Sequence, residues 1–197
     1  MARLSGMSAI VTGGAKGIGR HYSMALADEG AQVMVADIVD GSDVAGEIDV
    51  ELWDKVMAVN VRGPFLMAKH VVPHMREKRR GKIINIGSGT AKKGMPNFLH
   101  YVTSKGAITS MTRAMSRELG GDGICVNTLA PGLIMSDSVQ QSGTHSDTTV
   151  NAVVQSRAIK RDAFPEDLLG ALVFLASKES DFVSGQIIAV DGGSTNT

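Results

Sequence analysis

Short apolar runs alternate with longer stretches of helical spacing along this chain, and their order predicts an α/β fold. Strands are predicted at Ser8–Val11, Gln32–Ala36, Lys82–Gly87, Ile124–Leu129 and Gln186–Val190, each an apolar run bounded by glycine or polar residues. A helix is predicted from Arg20 to Glu29. A longer one runs from Val50 to Glu77, interrupted near Gly63-Pro64, with Leu52, Val56, Val59, Phe65, Leu66 and Val72 spaced for a buried face. A third continues from Tyr101 through Ala107, Ile108, Met111, Met115 and Leu119 to a glycine stop at Gly120-Gly121. Phe164-Pro165-Glu166-Asp167 opens the last helix, with proline near its start, acids in its first turn, and Leu168, Leu172, Leu175 and Ala176 on its buried side. Between Leu133 and Arg161 the chain is polar without clear periodicity, the pattern of a long loop that covers a site.

Composition narrows this to an ordinary globular domain. The 197 residues are 43% hydrophobic and 20% charged, and twenty Lys+Arg balance twenty Asp+Glu, which gives no reason to expect a polyanionic partner. The basic run Arg76, Lys78, Arg79, Arg80 reads as cations favoured at a helix C-terminus before Gly81 rather than as a nucleic-acid patch. One cysteine, Cys125 in the run Ile124-Cys125-Val126, excludes an internal disulfide framework and reads as a buried strand residue. Met7–Val11, the first apolar run, is too short for a signal or a membrane span, so a cytoplasmic protein is expected. No metal site is expected: His145 lacks a partner at metal spacing and reads as a surface residue, whereas His100 is the better candidate for lining a pocket.

The first strand leads into Thr12-Gly13-Gly14-Ala15-Lys16-Gly17-Ile18-Gly19 and then a helix. Strand, glycine turn and helix in that order form a phosphate site, because glycine lets the backbone approach the ligand and the helix N-terminus carries partial positive charge. The second strand ends at Asp37, about twenty residues past the loop, where an acid would accept hydrogen bonds from an adenosine ribose and repel a 2′-phosphate. Asp37 therefore favours NAD over NADP, while Lys16 argues modestly the other way.

A proton-transfer device follows the third strand. Ser88 stands at that strand's end, Tyr101 thirteen positions on, and Lys105 four beyond Tyr101. Side chains at i and i+4 of a helix share a face, so phenol and ammonium can look into one space. A phenol of pKa near ~10 is a poor base at neutral pH, and a fixed cation favours the phenolate. Ser88 could hold the oxygen of an alcohol or carbonyl while Tyr101 trades the proton.

Together these residues resemble the short-chain dehydrogenase/reductase family in its single-domain form. The resemblance rests on Thr12–Gly19, on Asn60 in Met57-Ala58-Val59-Asn60-Val61, on Ser88, Tyr101 and Lys105, on Pro131-Gly132, and on Val190-Asp191-Gly192-Gly193. It implies one NAD(P)-binding domain over residues 1–197, a Rossmann-like three-layer αβα sandwich with a mostly parallel sheet. It also implies an oxidoreductase passing a hydride between NAD(H) and a secondary alcohol or ketone. By the same resemblance, the catalytic set is Asn60, Ser88, Tyr101 and Lys105: Tyr101 is the acid/base, Lys105 lowers its pKa and binds the nicotinamide ribose, Ser88 orients the substrate oxygen, and Asn60 holds a water behind Lys105. The cofactor set is Gly13, Lys16, Gly17, Ile18, Gly19, Asp37, Tyr101, Lys105, Pro131, Gly132, Ile134 and Ser136, with Ile134 giving backbone bonds to the carboxamide and Ser136 where the family often has threonine. A homodimer or homotetramer is implied as well, with the two long helices paired across a subunit interface.

One departure stands out. Between Asp37 and Glu51, where the family carries helix, strand, helix and strand ending in Asn-Ala-Gly, this chain has thirteen residues, Ile38 to Val50, and no Asn-Ala-Gly anywhere. A single βαβ crossover already needs about ten to twelve residues, so two central elements are missing from the expected sheet. Closing the gap would move neighbouring strands by about 4.8 Å, more than the ~3–3.5 Å within which reacting atoms must sit. That arithmetic carries the alternative reading, a non-catalytic nucleotide-binding or oligomer-forming remnant of the fold.

Overall fold

The computed structural model describes residues 2–36, 48–142 and 146–195. It divides into two compact units, Met1–Ile38 with Pro131–Ser180 and Ala189–Thr197, and Val39–Ala130 with Asp181–Ile188. In the first unit, β1 (Ser8–Thr12) pairs in parallel with β2 (Gln32–Ala36), Ser8 opposite Gln32 and Thr12 opposite Ala36. Between them runs α1 (Gly17–Asp28), which packs on both strands and on α8 (Glu166–Ala176). The right-handed logic of a βαβ unit accounts for this arrangement, with the apolar side of the helix laid on the strands it connects. Leu26 and Tyr22 of α1 and Leu168, Leu172, Val173, Leu175 and Ala176 of α8 are buried, which bears out the spacing in the last helix. Burial pushes the Tyr22 phenol well above its ordinary pKa, and its hydroxyl has no partner among the described residues.

The opposite face of this small sheet is bare among the described residues. Ile10 and Met34 are register partners, and they are 46% and 66% exposed. Strands this apolar belong to sheets covered on both faces, so the bare face is where a further helix would be expected to lie.

The second unit holds β3 (Gly81–Ile86), most of β4 (Ile124–Pro131) and the start of β5 (Ile187–Val190), in the order β3-β4-β5. β3 and β4 run parallel, Gly81 opposite Ile124 and Ile86 opposite Leu129. All eight residues of β4 are buried, as a central parallel strand requires. Ile124 and Val126 of β4 form one core cluster with Val72 and Leu119, and Met75, Ile83 and Met115 pack against it. Among the described residues the strands thus form two sheets, β1-β2 and β3-β4-β5, rather than one. The expected α/β Rossmann-like class with parallel strands holds, and among the described residues β1 and β3 each have one strand neighbour.

The long second helix forms in three parts: α2 (Val50–Met57), a π-helical turn over Ala58–Arg62, and α3 (Gly63–Glu77). Asp49 caps its start, its carboxylate accepting from the Glu51 N–H at 3.3 Å. Its expected buried face is only partly buried: Ala68 and Val72 are inside, while Val59, Phe65 and Leu66 are exposed, Phe65 by 52%. Nothing among the described residues covers them. In the basic run, Arg76 and Arg79 pair with Asp122 at 2.6 and 3.4 Å, and Arg79 donates to the Gly121 carbonyl.

After the short α4 (Thr90–Lys93), α5 (Leu99–Leu119) keeps Ile108 and Leu119 of its expected stripe inside, with Met115 packed on the core. Its buried residues are His100, Ser104, Ile108, Thr112 and Leu119, so the inward face is half polar. Thr112 explains part of this: Asn85 of β3 donates to its hydroxyl at 2.8 Å, and that hydroxyl lies 2.8 Å from the Thr128 hydroxyl of β4. A hydrogen-bonded chain across three elements satisfies polar groups that burial would otherwise leave unpaired. The polar Leu133–Arg161 stretch contains α6 (Asp137–Ser142) and α7 (Asp147–Ser156), the latter capped by Ser146 accepting from the Thr149 N–H. His145 and Asp37 lie outside the described residues, as does most of the short connection after Asp37.

Candidate active site

Two clusters of candidate residues form, one in each unit. In the first, the turn after β1 is held by the Gly13 N–H donating to the Ala36 carbonyl at 2.5 Å. Gly17 lies at φ +47°, a backbone state that favours glycine, and a Cβ there would stand 3.0 Å from the Ser138 hydroxyl and 3.4 Å from that of Ser136. Gly19 is more restricted still, since a Cβ would lie inside the Gly13 carbonyl. Lys16 stands at the N-cap of α1 with extended backbone and makes no side-chain cap. The first N–H groups of this 12-residue helix, Gly17, Ile18 and Gly19 among them, are therefore not taken up by a capping side chain. Glycines that let backbone approach backbone, and an uncapped helix start, fit the pyrophosphate of a dinucleotide.

The Pro131–Ser136 segment belongs to the same unit and meets this loop through Ser136. Ile134 and Ser136 are buried, the Gly132 N–H donates to the Val190 carbonyl at 3.1 Å, and the Met135 N–H donates to that of Ala163 at 2.8 Å. A Gly19→Ala substitution forces the loop apart from α1. It should lower stability by about 1–3 kcal/mol, the usual cost of overpacking, and weaken NADH binding by more than tenfold, read by denaturant titration and ligand fluorescence; unchanged binding would count against the loop.

In the second unit, α5 carries Tyr101, Ser104 and Lys105 on successive turns of its first half. The Lys105 ammonium stands 5.5 Å from the centre of the Tyr101 ring, within cation–π range, and donates to the Ile86 carbonyl at 2.9 Å. Lys105 is half-buried by exposure, and burial of its ammonium pushes its pKa down to about 8. Parallel strands alternate the edge to which each residue turns its N–H and C=O. Gly81 and Gly87 donate to the Gly123 and Leu129 carbonyls, toward β4, so Ile86 turns its carbonyl to the other edge, and the lysine caps it there.

Asn60 sits in the π-helical turn, a local widening that often marks functional positions. Its Nδ2 donates to Ser104 Oγ at 3.0 Å, and Ser104 donates to the Tyr101 carbonyl at 2.7 Å. Asn60 is therefore linked to the helix turn that presents Tyr101 and Lys105. At the end of β3, Ser88 Oγ accepts from the Thr90 N–H at 3.2 Å and lies 2.8 Å from Thr90 Oγ1.

His100, expected to line a pocket, is buried instead. It is 1% exposed, with neither ring nitrogen partnered among the described residues, so it is a buried helix residue rather than a pocket-lining one. Ser104, Thr90 and Ser138 escaped the sequence reading; Ser104 could have been found, since it precedes Lys105 and falls three residues after Tyr101, on its face of the helix.

Comparison with known proteins points to one family. Residues 39–195 match the family model described as enoyl-(acyl carrier protein) reductase. The chain is 37% identical over 202 residues to 2-(S)-hydroxypropyl-CoM dehydrogenase 3 of Xanthobacter autotrophicus, covering 93% of this chain and 79% of that protein. It is 39% identical over 166 residues to a second protein of that organism, named inactive 2-(S)-hydroxypropyl-CoM dehydrogenase 2, covering 80% of this chain and 72% of that one. To 3-oxoacyl-(acyl-carrier-protein) reductase of Thermotoga maritima it is 30% identical over 246 aligned positions, covering 97% and 98% of the two chains. Those positions outnumber the 197 residues here, so that reductase has residues without counterpart in this chain. Among solved structures, a Beutenbergia cavernae protein assigned as an NAD(P)-dependent gluconate 5-dehydrogenase, with NADP bound at low occupancy, superposes with a TM-score of 0.90 at 27% identity, covering 97% of each chain.

The α/β Rossmann-like fold and the relatives that share it define the class as oxidoreductase. This chain belongs to the short-chain dehydrogenase/reductase family. Among the described residues, no helix is long and apolar enough to cross a membrane, and no group of metal-ligating side chains is present.

Proposed function

We propose that this protein interconverts a secondary alcohol and a ketone with NAD(H), as one cytoplasmic NAD(P)-binding domain over residues 1–197. The observation that carries the reading is the lysine, half-buried and lowered in basicity, beside the ring of Tyr101 on one helix face. A bound nicotinamide supplies or accepts the hydride. Tyr101 passes the proton at the substrate oxygen, Ser88 holds that oxygen, and Lys105 stabilises the phenolate and meets the nicotinamide ribose. Asn60, tied to Ser104, steadies that turn and holds a water behind Lys105. Gly13, Lys16, Gly17, Ile18 and Gly19 would hold the pyrophosphate, Asp37 the adenosine ribose, and Pro131, Gly132, Ile134 and Ser136 the nicotinamide side.

Exposed Val59, Phe65 and Leu66 on the second long helix support a homodimer or homotetramer, since exposed apolar residues in a row favour association. The NAD preference rests on the charge of Asp37. The NADP in the Beutenbergia cavernae structure is a reason to test both cofactors.

A second reading, the non-catalytic remnant, has its own observation: the Lys105 ammonium is engaged by a strand-edge carbonyl, Ile86, that a neighbouring strand would otherwise bind. Titration of the purified chain with NADH and NADPH, followed by a panel of secondary alcohols, separates the two. Saturable binding, tighter for NADH, with turnover of an alcohol supports the enzyme; binding without turnover supports the remnant; no binding by folded protein sinks both nucleotide readings.

A further inference from the structure

Arg157 is 3% exposed, and no carboxylate is among its hydrogen-bond partners. Its guanidinium donates through Nη1 to the Arg161 carbonyl at 2.5 Å and through Nη2 to the Leu133 carbonyl at 2.6 Å, and its Nε has no partner among the described residues. A buried cation satisfied by two carbonyls costs desolvation free energy that a loop tie alone does not require. The surroundings are shaped to admit it. Gly192, at φ +69°, leaves room for the arginine stem, because a Cβ there would lie 3.2 Å from Arg157 Cδ. The turn after β5 is fixed by Asp191, whose carboxylate accepts from the N–H groups of Gly193, Ser194 and Thr195 and from the Thr195 hydroxyl. The Ile159 N–H donates to the Gly192 carbonyl at 2.9 Å, closing the turn over the arginine. Val190-Asp191-Gly192-Gly193 is thus a seat for Arg157.

What the seat holds in place is one peptide plane. The Leu133 carbonyl and the Ile134 N–H belong to the same planar trans peptide and point in opposite directions. Pinning the carbonyl to Arg157 therefore aims the N–H the other way. Met135 and Ser136 donate their N–H groups within the chain, to Ala163 and Ile134, but the Ile134 N–H donates to no acceptor among the described residues, although its side chain is 2% exposed. An unpaired donor on a buried residue is uncommon, and this one lies two residues from Ser136, which meets the phosphate cradle.

We propose that Arg157 is a positioning residue for the cofactor: by fixing the Leu133 carbonyl it presents the Ile134 N–H to the nicotinamide carboxamide. This rests on the NAD(H) reading above. Only arginine can serve both carbonyls at once, since its planar fork presents separate donors in fixed directions.

The test compares NADH with ADP-ribose, which lacks the nicotinamide, by calorimetric titration of the wild-type chain, R157K and R157M, with thermal unfolding in parallel. R157K should weaken NADH about tenfold and R157M at least as much, the loss of one well-aimed hydrogen bond, while ADP-ribose affinity stays within about twofold. Equal weakening of both ligands, or of neither, overturns the proposal. Wild-type protein that binds ADP-ribose as tightly as NADH also overturns it, and leaves the pyrophosphate assignment standing. Wild-type protein that binds neither removes the NAD(H) reading and this inference with it. Should the variants not fold, amide exchange in the wild type decides: NADH must slow exchange at Ile134 and ADP-ribose must not.

Discussion

Replacing Tyr101 by Phe should lower alcohol oxidation by about 10²–10⁴-fold, the range that general acid–base catalysis contributes, while NADH affinity stays close to wild type. The substitution removes one oxygen and keeps the ring, so the Lys105 ammonium retains the aromatic face that it meets at 5.5 Å. Helix α5 keeps its buried residues Ile108, Thr112 and Leu119. A fall in kcat with little change in KM is the signature of a group that acts in the transition state. If turnover survives in Y101F, another group passes the proton and the assignment is wrong. If the wild type shows none to lose, the remnant reading gains.

The second large effect is a pH dependence of stability that belongs to Lys105. Burial lowers its pKa from 10.5 to about 8 in the folded chain, because the charged form is penalised there. Below pH 8 both folded and unfolded chains hold the proton, and the folded state bears the whole desolvation cost. Between about 8 and 10.5 the unfolded chain binds more protons than the folded one, so unfolding free energy rises with pH. Above that window both are neutral and the slope ends. Across the window the gain is on the order of 3 kcal/mol at ~1.4 kcal/mol per pKa unit. Lys105→Met lacks the slope, and the remaining lysines and tyrosines are common to both proteins. Denaturant unfolding from pH 7 to pH 10 should therefore show wild type gaining on K105M as pH rises; parallel curves would show that the ammonium is not held in a desolvated place. The same titration bears on the chemistry, since a neutral Lys105 no longer favours the Tyr101 phenolate.

Much of this protein is legible in its residue pattern, and the legible parts share a cause. β1, β2 and β4 fall within two residues of their predicted bounds, and α8 buries Leu168, Leu172, Leu175 and Ala176 as their spacing requires. Local periodicity, glycine turns and helix-start residues act over a few positions, so they can be read without knowing what lies nearby in space. The relation of Tyr101 to Lys105 is of this kind, because four positions on a helix fix a shared face. The glycine cradle is another, because Gly17 and Gly19 are needed by the turn itself.

Misreadings arose where a residue's environment comes from elsewhere in the chain. His100, Ser104 and Thr112 join Ile108 and Leu119 of the expected stripe on the buried face of α5, and for Ser104 and Thr112 the reason is that Asn60, Asn85 and Thr128 come from other elements to meet their hydroxyls. Val59, Phe65 and Leu66 have the spacing of a core face and are exposed, since nothing in the described chain reaches them. Arg157 gave no signal: it lies in a polar stretch without periodicity, and its partners at Leu133 and Gly192 are 24 and 35 positions away.

The amino-acid sequence by itself determined the α/β class, the family, the glycine turn after β1 and the Tyr-Lys pair, because each depends on spacing along a single strand, turn or helix. Tertiary structure decided the rest: the division of the strands into two sheets, the capture of the Ile86 carbonyl by Lys105, the lowered basicity of that lysine, and the seat that holds Arg157 against the Leu133 peptide. Burial and hydrogen-bond direction are properties of groups brought together from distant positions, and no local pattern encodes which distant group will arrive.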